Sequence, residues 1–164
     1  RPGETGELIA QGENVMMGYL GDPDGTSEAL KNGWLHTGDL ATVDEEGFIF
    51  IKGRAKEFIK TGGYRVSPQE VEEVLLQHPV VSECAVVGTP DELLGERILA
   101  LVVFREGVVS GKTIESVIDH ARSNLPPYMV PGAVEPIEAI PKTESGKIRR
   151  TELRRRFAQP LKTT

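Results

Sequence analysis

Apolar residues change their rhythm along this chain near residue 55. Before that point they gather in two short runs, residues 6–12 and 47–53, which predict short strands. Between them lie the turn-rich segments GDPDGTSEAL, KNGWLHTGDL and DEEG, with Thr26 or Ser27 capping a short helix through Leu30. This first third is β-rich and holds too few apolar residues for a core of its own. It is expected to rest on something larger, in a chain that begins in the middle of a longer protein. After residue 55 the periods become regular. Residues 57–60 and 64–66 flank Thr61-Gly62-Gly63 as a hairpin. Ser67-Pro68-Gln69-Glu70 follows, with serine at the cap, proline first in the helix and glutamate completing a capping box. Val71, Val74 and Leu75 stripe that helix, and His78-Pro79 ends it. Residues 80–87 and 98–104 read as apolar strands. Ile114, Val117, Ile118, Ala121 and Leu125 recur at helical spacing up to Pro126-Pro127. Residues 134–140 predict another strand and residues 151–157 a short basic helix. The order hairpin, helix, strand, strand, helix, strand, helix predicts an α+β domain, a small sheet packed with helices.

Composition narrows the class. The 164 residues are 38% hydrophobic and 27% charged, the balance of a soluble globular protein. No apolar run is long enough to span a bilayer, and the opening RPGETGELIA has no signal core. The single cysteine, Cys84, lies in VVSECAVVG and reads as a buried strand residue. It forms no internal disulfide and no zinc site, and the three histidines fit no metal-ligand spacing. A reducing, cytoplasmic setting is expected. The net charge of −6 argues against a general nucleic-acid binder. Its distribution is uneven: residues 142–156 carry +5 and residues 52–65 carry +4, leaving −15 on the remainder. Two glycine-bearing basic islands on an acidic body are expected to converge on a small polyanion.

Four segments hold candidate chemistry. GVVSGKT, residues 107–113, has only three residues between its first glycine and Gly-Lys, one short of a P-loop. It reads better as a glycine turn with Thr113 capping the next helix. In WLHTGDL, Asp39 follows a Thr-Gly turn; it either caps backbone amides or accepts hydrogen bonds from a ribose diol. Arg54, at the end of the next strand, either pairs with surface acids or holds a ribose or phosphate as a forked donor. In KTGGYR the glycine pair marks a positive-φ hairpin, or a place where a ligand passes close to the backbone. PKTESGKIRR, residues 141–150, sets Lys147 behind a Ser-Gly pair in a shaped loop.

In order, WLHTGDL, GRAKEFIKTGGYRVSPQEVE and PKTESGK make the chain resemble the C-terminal part of the adenylate-forming superfamily. That superfamily holds acyl-CoA synthetases, peptide-synthetase adenylation domains and beetle luciferases. The resemblance implies that residues 1–55 are the β-rich end of a large domain and residues 56–164 a mobile C-terminal domain. It implies an AMP-forming acid–thiol ligase that uses ATP, CoA and Mg²⁺, with the magnesium ligands and acyl pocket outside these residues. Asp39 matches the aspartate on the ribose hydroxyls, Arg54 an arginine that contacts the nucleotide, and Arg65 a position that touches a nucleotide phosphate in some members. Lys56 falls at the hinge. Gly62, Gly63 and Tyr64 match the loop lining the pantetheine tunnel. Lys147 matches the lysine that reaches the reacting carboxylate and the α-phosphate, a frequent target of lysine acetyltransferases. RVSPQEVE looks more like CoA ligases than like peptide-synthetase domains. Adenylation for a carrier protein and a non-catalytic CoA- or nucleotide-binding module remain the alternatives. The chain by itself is expected to be inactive.

Overall fold

The structure, a computed structural model, describes residues 1–105 and 110–158. Gly107, the first glycine of the rejected P-loop, lies outside the described residues. Internal contacts divide the chain into two units, Arg1–Lys56 and Glu57–Thr164.

The first unit is a four-stranded sheet around one long strand. β1 (Gly6–Ala10), β2 (Leu30–Lys31) and β4 (Ile49–Arg54) all pair antiparallel with β3 (Trp34–Val43). The expected turn at WLHTGDL is therefore a strand. The signal behind that expectation is real but local. Between the pairs Glu7↔Leu40 and Ile9↔His36 the register shifts, so that Thr37, Gly38 and Asp39 form a bulge. Gly38 has φ +73°, a conformation that costs glycine little. The helix α1 (Pro23–Ala29) begins earlier than Thr26 or Ser27. Asp22 is its cap, taking the Gly25 N–H at 2.8 Å, with Pro23 pre-set for the first turn. Thr26 lies within the helix and donates to the Asp22 carbonyl. The unit has almost no interior: Ala41 is its one apolar side chain in the core. Phe48, Ile49, Phe50 and Ile51 are consecutive and each more than half exposed. A strand apolar on both faces is the pattern of one covered on both faces.

The second unit carries the core. β5 (Ile59–Thr61) and β6 (Tyr64–Val66) form the hairpin; α2 (Pro68–Leu76), β7 (Val81–Asp91) and β8 (Gly95–Phe104) follow. Then come α3 (Gly111–Asn124), a 3₁₀ turn at Pro127–Met129, β9 (Ala133–Pro136) and α4 (Arg150–Arg156). The sheet order is β6-β5-β8-β7, with β9 added parallel to β8. The alternation of β8 assigns its faces. Ile98, Ala100 and Val102 pack with α2 and α3 residues Val71, Leu75, Val117 and Ala121. Leu99 and Leu101 pack with Leu153 of α4 and Ile140. A strand buried on both faces has to be apolar throughout, and residues 98–104 are. The expected α+β class and element order hold, with boundary shifts of a few residues.

Two caps differ from expectation. Ser67 holds the cap position of α2 with extended backbone and Pro68 starts the helix, but no side-chain cap hydrogen bond forms there. At α3 the cap is Ser110, whose hydroxyl accepts from the Thr113 N–H at 3.2 Å, and not Thr113.

Candidate functional site

Each candidate residue is placed by a specific local device. In the first unit, pairing of β3 with β4 sets Asp39 opposite Arg54. Arg54 Nε lies 2.8 Å from Asp39 Oδ1, and its Nη1 donates to the Thr37 carbonyl at 2.9 Å. The bulge turns this pair outward, and both side chains are partly exposed. Glu7 fixes the other side of the bulge. Its carboxylate bonds His36 Nδ1 at 2.8 Å and accepts from the Gly38 N–H at 3.2 Å. The hydrogen bond from His36, with help from the Gly38 amide, holds the Glu7 carboxyl below its ordinary pKa. The sequence separates Asp39 and Arg54 by fifteen positions, and the structure pairs them through Arg54 Nε, with the other arm of the guanidinium on the Thr37 carbonyl. Lys56 is exposed and ends this unit.

In the second unit, Gly62 and Gly63 are the two-residue loop between β5 and β6, with φ +54° and +85°. Positive φ at both positions is what a tight hairpin needs to match the strand twist. The Gly62 N–H donates to the Leu94 carbonyl at 2.9 Å, and the Lys60 N–H to Glu96 Oε2 at 2.6 Å. The hairpin is thereby moored to the β7–β8 tip, itself held by Asp91, which accepts from the amides of Leu93 and Leu94. A Cβ added to Gly63 would meet nothing within 4 Å, so the open face of this loop is clear. Tyr64 stacks on Tyr128 with ring centroids 4.2 Å apart. The pair lines a concavity of about 400 Å³ with Gly62, Leu94, Arg97 and Gly132. Arg65 is exposed on β6, opposite Lys60. Tyr128 and Leu94 escaped the sequence reading, because only the turn at Pro127–Met129 and the mooring at Leu94 bring them to the glycine hairpin.

Lys147 lies on a small closed loop. Lys142 and Ile148 bridge, the Thr143 N–H donates to the Lys147 carbonyl at 2.8 Å, and the Lys147 N–H donates to Thr143 Oγ1 at 3.1 Å. Gly146 makes the turn with φ +82°. The loop is anchored by Lys142 Nζ, 2.6 Å from Glu83 Oε2. Around it, the basic island resolves into individual assignments. Arg149 bonds the Lys142 carbonyl and pairs with Glu152, Arg154 donates to the Glu57 carbonyl, and Arg156 lies over the Phe157 ring. Arg150 is buried, pairing with Glu72 through both terminal nitrogens and with Glu57 through Nε at 2.9 Å. Burial opposes the charge of Arg150, but Glu72 and Glu57 outweigh it and raise its pKa. Among the described residues, no side chain pairs with the exposed Lys147 ammonium. The expected converging basic island is thus mostly a set of internal pairings, with Lys147 and Arg155 exposed and without a side-chain partner among the described residues.

The two second-unit candidates sit at opposite ends of β7. The Lys147 loop is tied to Glu83, and the glycine hairpin is moored beyond Asp91. Eight residue steps of strand separate Glu83 from Asp91, about 26 Å at the usual rise. Among the described residues, no group of three or more His, Cys, Asp or Glu side chains is placed to hold a metal ion. No described helix is long and apolar enough to cross a membrane.

Comparison with known proteins identifies the family. The AMP-binding enzyme C-terminal domain family matches residues 70–147. A probable acyl-activating enzyme 5, peroxisomal, of Arabidopsis thaliana is 44% identical over 165 residues, covering 100% of this chain and 30% of its own length. A long-chain-fatty-acid–CoA ligase of Escherichia coli O6:H1 is 46% identical over 153 residues, covering 93% of this chain and 27% of its own. The o-succinylbenzoate CoA synthetase of Bacillus subtilis, solved with its acyl-adenylate intermediate, superposes with a TM-score of 0.84 at 35% identity, over 93% of this chain and 31% of that one. The chain therefore spans about 30% of the length of the relatives it matches. On its motifs, its fold and these matches, the chain belongs to the adenylate-forming superfamily and corresponds to the C-terminal part of such an enzyme.

Proposed function

We propose that this chain is the C-terminal part of an AMP-forming acyl-CoA synthetase. In the first half-reaction a carboxylate oxygen attacks the α-phosphorus of ATP, and the bond to pyrophosphate breaks. In the second, the CoA sulfur attacks the acyl carbon and AMP leaves. The observation that carries the reading is the unpaired Lys147 ammonium at the tip of a closed loop, within an island whose other cations are mostly engaged. Adenylation brings two anions together and gathers charge on the phosphorus oxygens. A cation delivered there stabilises the transition state more than the ground state. Lysine suits the task as a compact charge on a long stem.

The other residues take parts consistent with their placement. Asp39 accepts the ribose hydroxyls through its outward carboxylate, with Arg54 steadying that carboxylate and reaching the nucleotide. Arg65 contacts a nucleotide phosphate. Gly62, Gly63 and Tyr64 line the passage for the pantetheine arm, where an added side chain would obstruct it. Lys56, at the boundary between units, is the hinge, and residues on its two sides, 1–55 and 56–164, belong to different domains. Rotation there exchanges the two ends of β7 at the active site, a domain-closure motion. Mg²⁺, held by residues outside this chain, would supply charge that offsets the phosphates of ATP. Acetylation of Lys147 removes the cation and stops adenylation. A cytoplasmic location fits the buried, unpaired Cys84.

The test uses the longer protein that contains this chain, supplied with ATP, Mg²⁺, CoA and representative fatty, aryl and short-chain acids. Acid-dependent formation of AMP, pyrophosphate and an acyl-CoA thioester is expected, with the 164-residue chain alone inactive. Acyl transfer only to a carrier protein would replace CoA by that partner. Absence of any acid-dependent AMP formation would leave a binding module.

A further inference from the structure

Beneath the Lys147 loop lies a buried ionic cluster that the proposed reaction does not use. Arg150 is 8% exposed and Glu72 is 7% exposed, and charges so placed persist only when paired and fully hydrogen-bonded. Here they are. Glu72 Oε1 accepts from the Val86 N–H at 2.6 Å, and Arg150 Nη1 donates to the Val86 carbonyl at 3.2 Å. The pair therefore satisfies both outward backbone groups of Val86 on β7, the edge strand of the sheet. Its third member is different. Glu57 is the first residue of the second unit and follows Lys56 directly. Its carboxylate takes Arg150 Nε at 2.9 Å, and its carbonyl takes Arg154 Nη2 at 3.0 Å. Arg150 and Arg154 are one helical turn apart on α4 and so share a face. α4 begins three residues after Lys147, and the Arg150 N–H is itself bonded to the Ile148 carbonyl.

We propose that Glu57, held by Arg150 and Arg154, is a positioning residue that locks the start of the second unit to the element presenting Lys147. The inference rests on the role of Lys147 given above and adds to it. With the clamp in place, the loop and the unit boundary turn as one body, so torsions at Lys56 alone set where the Lys147 ammonium arrives. Without it, the loop keeps its own hydrogen bonds but loses its fixed relation to the boundary.

Glu57→Ala tests this in the longer protein, because it removes the carboxylate that holds Arg150 Nε and leaves both the buried Arg150–Glu72 pair and the Arg154 bond to the backbone carbonyl of position 57 in place. The expected result is a roughly 10- to 100-fold fall in single-turnover adenylation, the scale of a misplaced catalytic group. The KM for ATP and the rate of thioester formation from supplied acyl-adenylate should be unchanged. Glu57→Gln keeps an oxygen for Arg150 Nε and should recover most of the rate. Amide exchange at residues 142–150 should quicken in Glu57→Ala and not in Glu57→Gln. Unchanged adenylation, an equal fall in both half-reactions, or no recovery by glutamine would overturn the clamp. Lys147→Ala, measured alongside, separates the two ideas. If it leaves adenylation intact, the role of Lys147 fails; if it slows adenylation while Glu57→Ala does not, the clamp alone fails.

Discussion

Single side chains in this protein take their meaning from what surrounds them more than from their type. Cys84 lies in an apolar strand, and burial, reinforced by the nearby Glu72 charge, pushes its thiol up to about 12. Because the folded pKa is raised, the contribution is present below pH 9 and is lost as pH climbs from about 9 towards 12. The native protein should therefore resist a thiol-specific reagent at pH 8 and react fully once denatured; rapid labelling of the native protein would contradict this burial. The cysteine was legible in the sequence, because seven of its eight neighbours in VVSECAVVG are apolar or small. Lys147 was legible as a presented cation for a similar local reason, since Ser145-Gly146 fixes the turn. Arg150 was not. It stands in the same basic run, and nothing local distinguishes it from Arg149; only the packing of α4 against β7 and α2 buries the one and exposes the other.

At the scale of elements, apolar periodicity and terminators located the helices and strands of the second unit well, and missed where their ends are satisfied. Ser110 precedes a glycine and sits in a stretch without apolar rhythm, so Thr113, nearer the periodic residues, looked like the cap. Ser110 in fact takes the Thr113 amide and also contacts its hydroxyl at 2.8 Å. Ser110→Ala should destabilise the domain by about 1 kcal/mol, the usual loss of an N-cap. Thr113→Val should cost less in the same denaturant titration, and the reverse ranking would restore Thr113 as the cap. The largest misreading lies in β3. Its Thr37-Gly38 pair has the composition of a turn, and the strand absorbs it as a bulge between three partner strands. That bulge also leaves Asp39 and Arg54 paired and partly exposed. Long-range pairing of this kind leaves no period to read.

Across the whole molecule the two units differ in self-sufficiency. The second unit has a sheet buried on both faces, whereas the first has a single buried apolar side chain and a β4 strand exposed on both sides. This contrast was visible in the sequence as a shortage of apolar residues before position 55. The placement of the two candidate loops at opposite ends of β7 was not, since it depends on which strand end each loop is moored to. The proposed function draws on this separation: one body would present Lys147 in the first half-reaction and the glycine hairpin in the second, depending on torsions near Lys56. The most direct test is a pair of single-turnover rates, acyl-adenylate formation and thioester formation from supplied acyl-adenylate, measured in Lys147→Ala and Gly63→Leu of the longer protein. Thermal melting first checks that Gly63→Leu, at φ +85°, still folds. The account predicts that Lys147→Ala slows adenylation by on the order of 10²–10³ and spares the thioester step, and that Gly63→Leu slows the thioester step and spares adenylation. Equal slowing of both steps in both variants would contradict it.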